Sequence, residues 1–313
     1  MINSLSLSFI NKINKSNTNS VSFAGRKQPS CDIVEIKGTE TKAKVYTTNL
    51  DYKTYEQIKT ICSHPVFKDT PVRIMPDTHA GKNTVVGFTA PINAQGTVIP
   101  SIISGDIGCG MLCVQLDTRG QEIDFDALDN VIKKYVSTTH TENPSSLTKH
   151  APKITKEVTD LCKRKYKVSP DKVMSTLGTV GGGNHFIELD RNEKGETFLV
   201  IHTGSRHFGK EVCNHHQKVA MEQNPYKIKD LSFLSGDEAK EYLSDMKIAT
   251  KYSEINRRII ADEIMKRMGW REKSSFESIH NYIGKDGIIR KGAISAQNGE
   301  RIIIYFLLKL FSS

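Results

Sequence analysis

Three glycine-rich turns hold most of the metal-capable side chains of this sequence. Ser104-Gly105-Asp106-Ile107-Gly108-Cys109-Gly110 offers a carboxylate and a thiol, and glycine permits a tight reversal in which Asp106 and Cys109 point to the same place. Both groups do their chemistry ionised, and burial opposes ionisation unless a cation compensates. A turn with a buried thiol and a capping Asp accounts for this segment equally well. Gly181-Gly182-Gly183-Asn184-His185-Phe186-Ile187-Glu188 allows backbone N–H groups to converge on an anion and adds an amide and an imidazole. It matches neither a Walker A loop nor a dinucleotide fingerprint. His202-Thr203-Gly204-Ser205-Arg206-His207-Phe208-Gly209 places a ligating His beside an anion-binding Arg.

Singly, each of these histidines is better explained as a hydrogen-bonded structural residue. Together, Asp106, Cys109, His185 and His202 all fall at expected strand ends beside glycines, and His280 in Ile279-His280-Asn281-Tyr282 is a fifth candidate. One Asp, one Cys and three His exceed a tetrahedral zinc site, so two ions sharing the thiolate is the economical arrangement. Zinc, manganese or iron would accept this donor mix. His64 and His140 fall near expected surface turns, His150 precedes Ala151-Pro152, and the pair His215-His216 reads as partly solvated. None of these receives a role.

Positioning such turns requires strands that end at them. Short apolar or alternating runs at Ile33–Ile36, Ala43–Tyr46, Val72–Met75, Val85–Ile92, Val98–Ile103 and Met111–Leu116 read as strands, as do His185–Leu189 and Phe198–His202. Helical spacing marks Tyr52–Cys62, Phe125–Val136 and Ile154–Tyr166, with a polar surface excursion at Ser137–Pro152. The longest helical segment, Gly236–Met268, carries Tyr242, Met246, Ala249, Tyr252, Ile255 and Ile259 every three or four residues, the pattern of a core-facing stripe. Strands and helices mix without βαβ alternation, so the expected class is α+β with mostly antiparallel sheets.

With 44 Lys and Arg against 35 Asp and Glu, the chain of 313 residues carries a formal charge of +9, which suits an anionic partner such as nucleic acid without establishing one. A 37% hydrophobic content excludes disorder throughout. The longest apolar run, Ile302–Leu308, is far short of the ~20 residues of a membrane-spanning helix, so no membrane partner is expected. Six scattered cysteines lack the density of a secreted disulfide framework, which points to a reducing, cytoplasmic setting. Residues 1–30, rich in Ser and Asn and free of acidic groups, read as a flexible tail. They share the acid-free character of an organelle transit peptide but have too few arginines and no clear amphipathic face.

The motifs resemble, in order and spacing, the RtcB family of RNA-splicing ligases. The matching segments are Arg73-Ile74-Met75-Pro76-Asp77-Thr78-His79-Ala80-Gly81, Ser104–Met111, Gly182–Glu188 and Ile201–Arg206. Further matches are Tyr242–Met246 with Asn256-Arg257, His280-Asn281-Tyr282 and Arg290-Lys291-Gly292-Ala293. The resemblance spans roughly residues 34 to 300 and implies an RtcB-like α+β fold, with mixed and antiparallel sheets, flanking helices and a metal site in a central cleft.

It further implies GTP- and Mn²⁺-dependent joining of RNA 3′-phosphate or 2′,3′-cyclic phosphate ends to 5′-hydroxyl ends, in tRNA splicing or RNA repair. RNA would be the substrate, GTP and two Mn²⁺ ions the cofactors, and an activating protein factor a further partner. Asp106, Cys109, His185, His202 and His280 match the family's metal ligands, with the cysteine bridging. Asn184 matches a contact to the nucleotide phosphate, and Glu188 lies near the nucleotide. Asp77 and His79 are expected to form a polar turn supporting the site, with a ligand-orienting role as the alternative.

Family members continue into a Pro-Gly-Ser-Met loop and a His-Gly-Ala-Gly-Arg motif whose histidine takes GMP from GTP. The 313 residues contain neither run and close on Tyr305–Ser313. The expectation is therefore an incomplete catalytic domain over residues 31–304, a reading frame truncated or shifted near residue 304, and an atypical apolar tail at 305–313. Without its nucleophile, guanylyl transfer is not expected to proceed. The alternatives are a non-catalytic or trans-complemented metal- and RNA-binding fragment of such a ligase, or a metal-dependent phosphohydrolase.

Overall fold

The computed structural model of the chain describes residues 33–140 and 147–297. The expected tails at 1–30 and 305–313 lie outside the described residues, as does the middle of the excursion at 137–152.

Alternating burial builds the first sheet. In β1 (Val34–Lys37) and β2 (Lys42–Val45), Ile36, Ala43 and Val45 face the core while Lys37 and Lys42 face solvent. The sheet continues through β3 (Val72–His79) and β4 (Val86–Pro91) and closes with β10 (Ile288–Lys291) and β9 (Asn281–Ile283), in the order β1-β2-β3-β4-β10-β9. The second sheet has the order β6-β7-β5-β8, from β5 (Gly110–Asp117), β6 (Phe186–Arg191), β7 (Thr197–Thr203) and β8 (Arg271–Ile279). Every strand pair is antiparallel except β2–β3.

Helix α1 (Tyr52–Cys62) packs on β1 to β3, capped by Asp51, whose carboxylate accepts from the Thr54 N–H at 2.8 Å. A short α2 (Pro100–Ile103) follows β4, and α3 (Phe125–Tyr135) follows β5. After α4 (Leu147–His150), α5 (Pro152–Leu161) runs into a π-helical turn, Cys162–Tyr166, and then α6 (Pro170–Met174). Helix α7 (Arg206–Gln223) follows β7, and α8 (Gly236–Met268) spans 33 residues, ending at Gly269 with φ +71°.

Helix α8 joins two cores. Tyr242, Met246, Ala249, Tyr252, Ile255 and Ile259 lie in the cluster under the first sheet, and Ile260, Ile264 and Met265 lie in the cluster under the second. The predicted stripe and the helix bounds agree with the structure, and the class is α+β.

Several expectations are corrected. Val98–Ile103 is no strand: Val98 makes one bridge to Leu234, and the chain then turns helical, because Pro100 has no N–H for a ladder and its fixed φ suits a first helical turn. Asp77 and His79 are not in a turn but in the last part of β3, where the pairing with β4 shifts register between Ile74 and His79 around Pro76. His64 is fully buried, its Nε2 2.9 Å from the Leu231 carbonyl, and His216 is buried against Asp245 rather than solvated. Strands β8 to β10 were not read from the sequence. Arg271–Ile279 is largely polar and half-exposed, so its pairing with β5 leaves little apolar alternation to detect.

Candidate metal centre

The five candidate side chains meet where the two sheets come together. Helix α2 ends at Ser104 with φ +66°, and the glycine-rich turn then packs directly on α8. A Cβ on Gly108, whose φ is +69°, would lie 2.4 Å from Ser253 Oγ and 2.8 Å from Thr250 Cα, so only glycine fits there. Backbone bonds tie the turn to its neighbours: Gly108 N–H donates to Asn281 O at 2.8 Å, and His280 N–H donates to Cys109 O at 2.9 Å.

Cys109 Sγ lies 3.4 Å from His185 Nε2 and 3.3 Å from His202 Nε2. His202 Nε2 is 3.1 Å from His280 Nε2, and His185 Nε2 is 3.7 Å from Asp106 Oδ1. The Nδ1 atoms of His185 and His202 sit 2.9 Å and 3.0 Å from the carbonyls of Val180 and Asn184. A carbonyl only accepts, so this network assigns the proton to Nδ1 and turns both Nε2 lone pairs toward Cys109. The thiol proton and a His280 Nε2–H are the donors within reach of these lone pairs. A cation can take their place, and the ligand atoms fall into two groups, Cys109–His202–His280 and Asp106–Cys109–His185, each within 4.8 Å and sharing the sulfur. This donor set fits a pair of divalent ions bridged by a thiolate.

The electrostatics agree with that fit. Burial and the nearby Asp106 push the Cys109 thiol well up, so a thiolate here needs a compensating positive charge. Burial brings His202 down to about 4, with His185 adding to it, and burial with His202 brings His280 down to about 3. Both rings are neutral at pH 7, the form that ligates. Burial raises the Asp106 carboxyl, and it takes a hydrogen bond and positive charge from the His185 side to bring it down to about 2; with a lone pair on His185 Nε2, a cation is the group that supplies that charge. Asn281 Nδ2 donates to the same carboxylate at 3.2 Å.

Of the nucleotide candidates, Asn184 is exposed beside His185, with its carbonyl fixing His202. Glu188 lies on β6 opposite Val200, on the sheet face that carries the Phe186–His202 pair one row away. Asp77 and His79 are exposed, with His79 Nδ1 3.0 Å from the Asp77 carbonyl, and make no contact with the five.

Three residues quoted in the motifs but given no role prove central. Arg257 is fully buried beneath the centre. Its Nη1 donates to Gly108 O at 2.9 Å and Thr203 O at 2.7 Å, and its Nε donates to Glu277 at 2.8 Å. Asn256 accepts from the N–H groups of Gly178 (2.6 Å) and Thr179 (3.1 Å) and donates to Gly204 O at 3.3 Å. One turn of α8 thus clamps the loops that carry all the candidate ligands except His280. Lys291, 7% exposed, has no hydrogen-bond partner for its Nζ, and burial lowers it to about 8. The sequence signal for the α8 pair was a polar Asn-Arg set between Ile255 and Ile259 of an apolar stripe. Arg206, at the start of α7 with φ +53°, reaches Thr179 Oγ1 at 3.1 Å and the Thr138 carbonyl at 3.2 Å.

Fold and centre together define an α+β protein with a thiolate-sharing, metal-competent Asp/Cys/His₃ cluster. The chain belongs to the RtcB family: the sequence model described as tRNA-splicing ligase RtcB matches residues 57–175 and 157–307. Among curated proteins it is similar to the RNA-splicing ligase RtcB of Escherichia coli K12, with 24% identity over 272 residues, covering 74% of this chain and 66% of that protein. It is also similar to the tRNA-splicing ligase RtcB of Methanococcus maripaludis, with 23% identity over 316 residues, covering 82% and 62%. A shorter stretch of 112 residues is 32% identical to the tRNA-splicing ligase RtcB of Methanopyrus kandleri, covering 27% and 11%. The chain therefore spans about two thirds or less of the length of these relatives. No described helix is long and apolar enough to cross a membrane.

Proposed function

We propose that this chain carries the metal and RNA-end site of a GTP- and Mn²⁺-dependent RNA ligase that joins 3′-phosphate or 2′,3′-cyclic phosphate ends to 5′-hydroxyl ends. The observation that carries this reading is the pair of donor triads sharing Cys109. Bound there, two Mn²⁺ ions would neutralise the nucleotide and RNA phosphates and hold them in line.

The protein's own groups do the rest. The carbonyls of Val180 and Asn184 fix His185 and His202 so that no ring reorients when a ligand arrives. Lys291 keeps a buried ammonium beside Gly81, within electrostatic reach of Asp106 and without a protein acceptor, which suits an incoming phosphate. Asn184 and Glu188 face the nucleotide in this reading, and an activating protein factor and a cytoplasmic setting in tRNA splicing or RNA repair belong to it as well.

The test is metal stoichiometry by isothermal titration with Mn²⁺, followed by RNA end-joining and phosphate-release assays. Two ions bound by the natural chain, with loss of both in Cys109→Ala, is the expected result. One ion, or two that persist without the thiol, refutes the shared-sulfur site. Free phosphate released from a 3′-phosphate end would instead favour a phosphohydrolase. RNA and metal binding without end-joining would favour the metal- and RNA-binding fragment.

A further inference from the structure

The first sheet has a second face, opposite the core that holds Ile36, Val45, Ile74 and Phe88. Residues paired directly across strands share a face, and the register places Glu35, Lys44, Arg73, Thr89, Arg290 and Tyr282 in one unbroken row from β1 to β9. At the β1 end the row opens into a groove of about 520 Å³ lined by Lys37, Lys42, Lys44 and Arg73.

The groove's charge is unbalanced. Its lining carboxylates are Glu40 and Asp69, two against four cations. Among the described residues, Lys42 alone of the four is ion-paired, to Glu35 at 2.9 Å, an exposed contact just outside the groove of little energetic weight. The hydroxyl-bearing Thr39, Thr41 and Thr70 complete the lining.

At the other end, the row stops on β9, the strand next to the metal centre. Tyr282 is the neighbour of Asn281, whose side chain lies on the opposite face of the strand and donates to Asp106, and the Tyr282 ring lies 5.3 Å from the Arg290 guanidinium. Arg290, buried and paired with Asp286 at 2.6 Å, fixes the Tyr282 ring as an aromatic step. Five inter-strand spacings of ~4.8 Å give a path of ~24 Å, enough for several nucleotides.

Resting on the ligase reading above, we propose that this sheet face is an exosite for the RNA strand whose end occupies the metal centre. The strand's phosphates are held by Lys37, Lys44 and Arg73 without readout of sequence. A groove with surplus cations, leading from an aromatic step at the reacting end, matches a single strand better than a duplex. The salt dependence of the whole protein's affinity then comes in part from residues three to four strand spacings, ~14 to ~19 Å, from Tyr282.

The experiment is fluorescence anisotropy of a labelled single-stranded RNA bearing a 3′-phosphate, titrated with the full chain over a range of salt. Neutralising Lys44 and Arg73 together (Lys44→Ala, Arg73→Ala) should lower the slope of log affinity against log salt by ~1.4, at ~0.7 per phosphate contact, and weaken binding at least ~10-fold at low salt. The charge-keeping pair Lys44→Arg, Arg73→Lys should restore it. Replacing the exposed Lys218 and Lys240 by Ala, on other surfaces, should change neither quantity. RNA binding by the natural chain with an unchanged slope in the double Ala variant overturns the exosite and leaves the ligase reading standing. So does failure of the charge-keeping pair to rescue. No RNA binding by the natural chain at any salt overturns both.

Discussion

Replacing Arg257 by Met removes the clamp under the metal centre while roughly keeping its volume. Arg257 is 0% exposed. The substitution strips donors from the Gly108 and Thr203 carbonyls and from Glu277, leaving Gly108 O with the Ser253 hydroxyl at 2.7 Å as its side-chain donor and one carboxylate without its cation. Breaking a buried charged pair costs ~3–5 kcal/mol. Glu277 keeps 27% side-chain exposure and can rehydrate, so the lower half of that range is expected, with little further cost from the Thr203 carbonyl if water enters. Urea unfolding of the natural chain and of Arg257→Met, at equal m-value, reads the difference directly. Gly108 adjoins Cys109, and Thr203 adjoins His202. The same variant should therefore bind Mn²⁺ at least ~10-fold more weakly, because the cost of re-ordering two loops falls on binding. A loss of stability under ~1 kcal/mol, or unchanged metal affinity, would refute the view that α8 holds the ligand loops in place.

Lys291 gives a pH signature. Burial brings its folded-state value down to about 8 from the ordinary lysine value of 10.5, so between these limits the unfolded chain binds more protons and stability rises with pH. Lys291→Met should lack that rise and be the more stable protein at neutral pH, as thermal melts from pH 7 to pH 10 will show. A parallel pH profile in the two proteins would contradict the buried, unpartnered ammonium. Gly181→Ala should destabilise by ~1–2 kcal/mol through its positive φ and displace Arg206, whose guanidinium would lie 2.0 Å from the new Cβ. A crystal structure of the variant with Arg206 unmoved would show that reasoning to be wrong.

Much of the site was legible in the linear sequence because ligands advertise themselves: Asp106, Cys109, His185 and His202 each stand beside glycines, and those glycines are needed for the reversals that turn the side chains inward. Helix α8 was legible to the residue because its periodic stripe is long and ends at a glycine in the left-handed region. Strand β8 was not, because it is polar and half-exposed, and β9 and β10, at three and four residues, are too short to show an alternation. Nor was α2, where an apolar run equally suits a strand and Pro100 decides for a helical turn.

What the sequence by itself determined was the inventory: which side chains can bind a cation, which turns can carry them, and the family to which they belong. Only the tertiary structure decided that Cys109 faces two imidazoles at once, that Arg257 and Asn256 reach up from α8 to hold three loops, and that Lys44 and Arg73 share one face. Each of these depends on residues brought together from distant parts of the chain, as with the 149 positions between Gly108 and Arg257. Local propensity carries no information about contacts at that separation. They are fixed by how the sheets and α8 pack to bury their apolar faces.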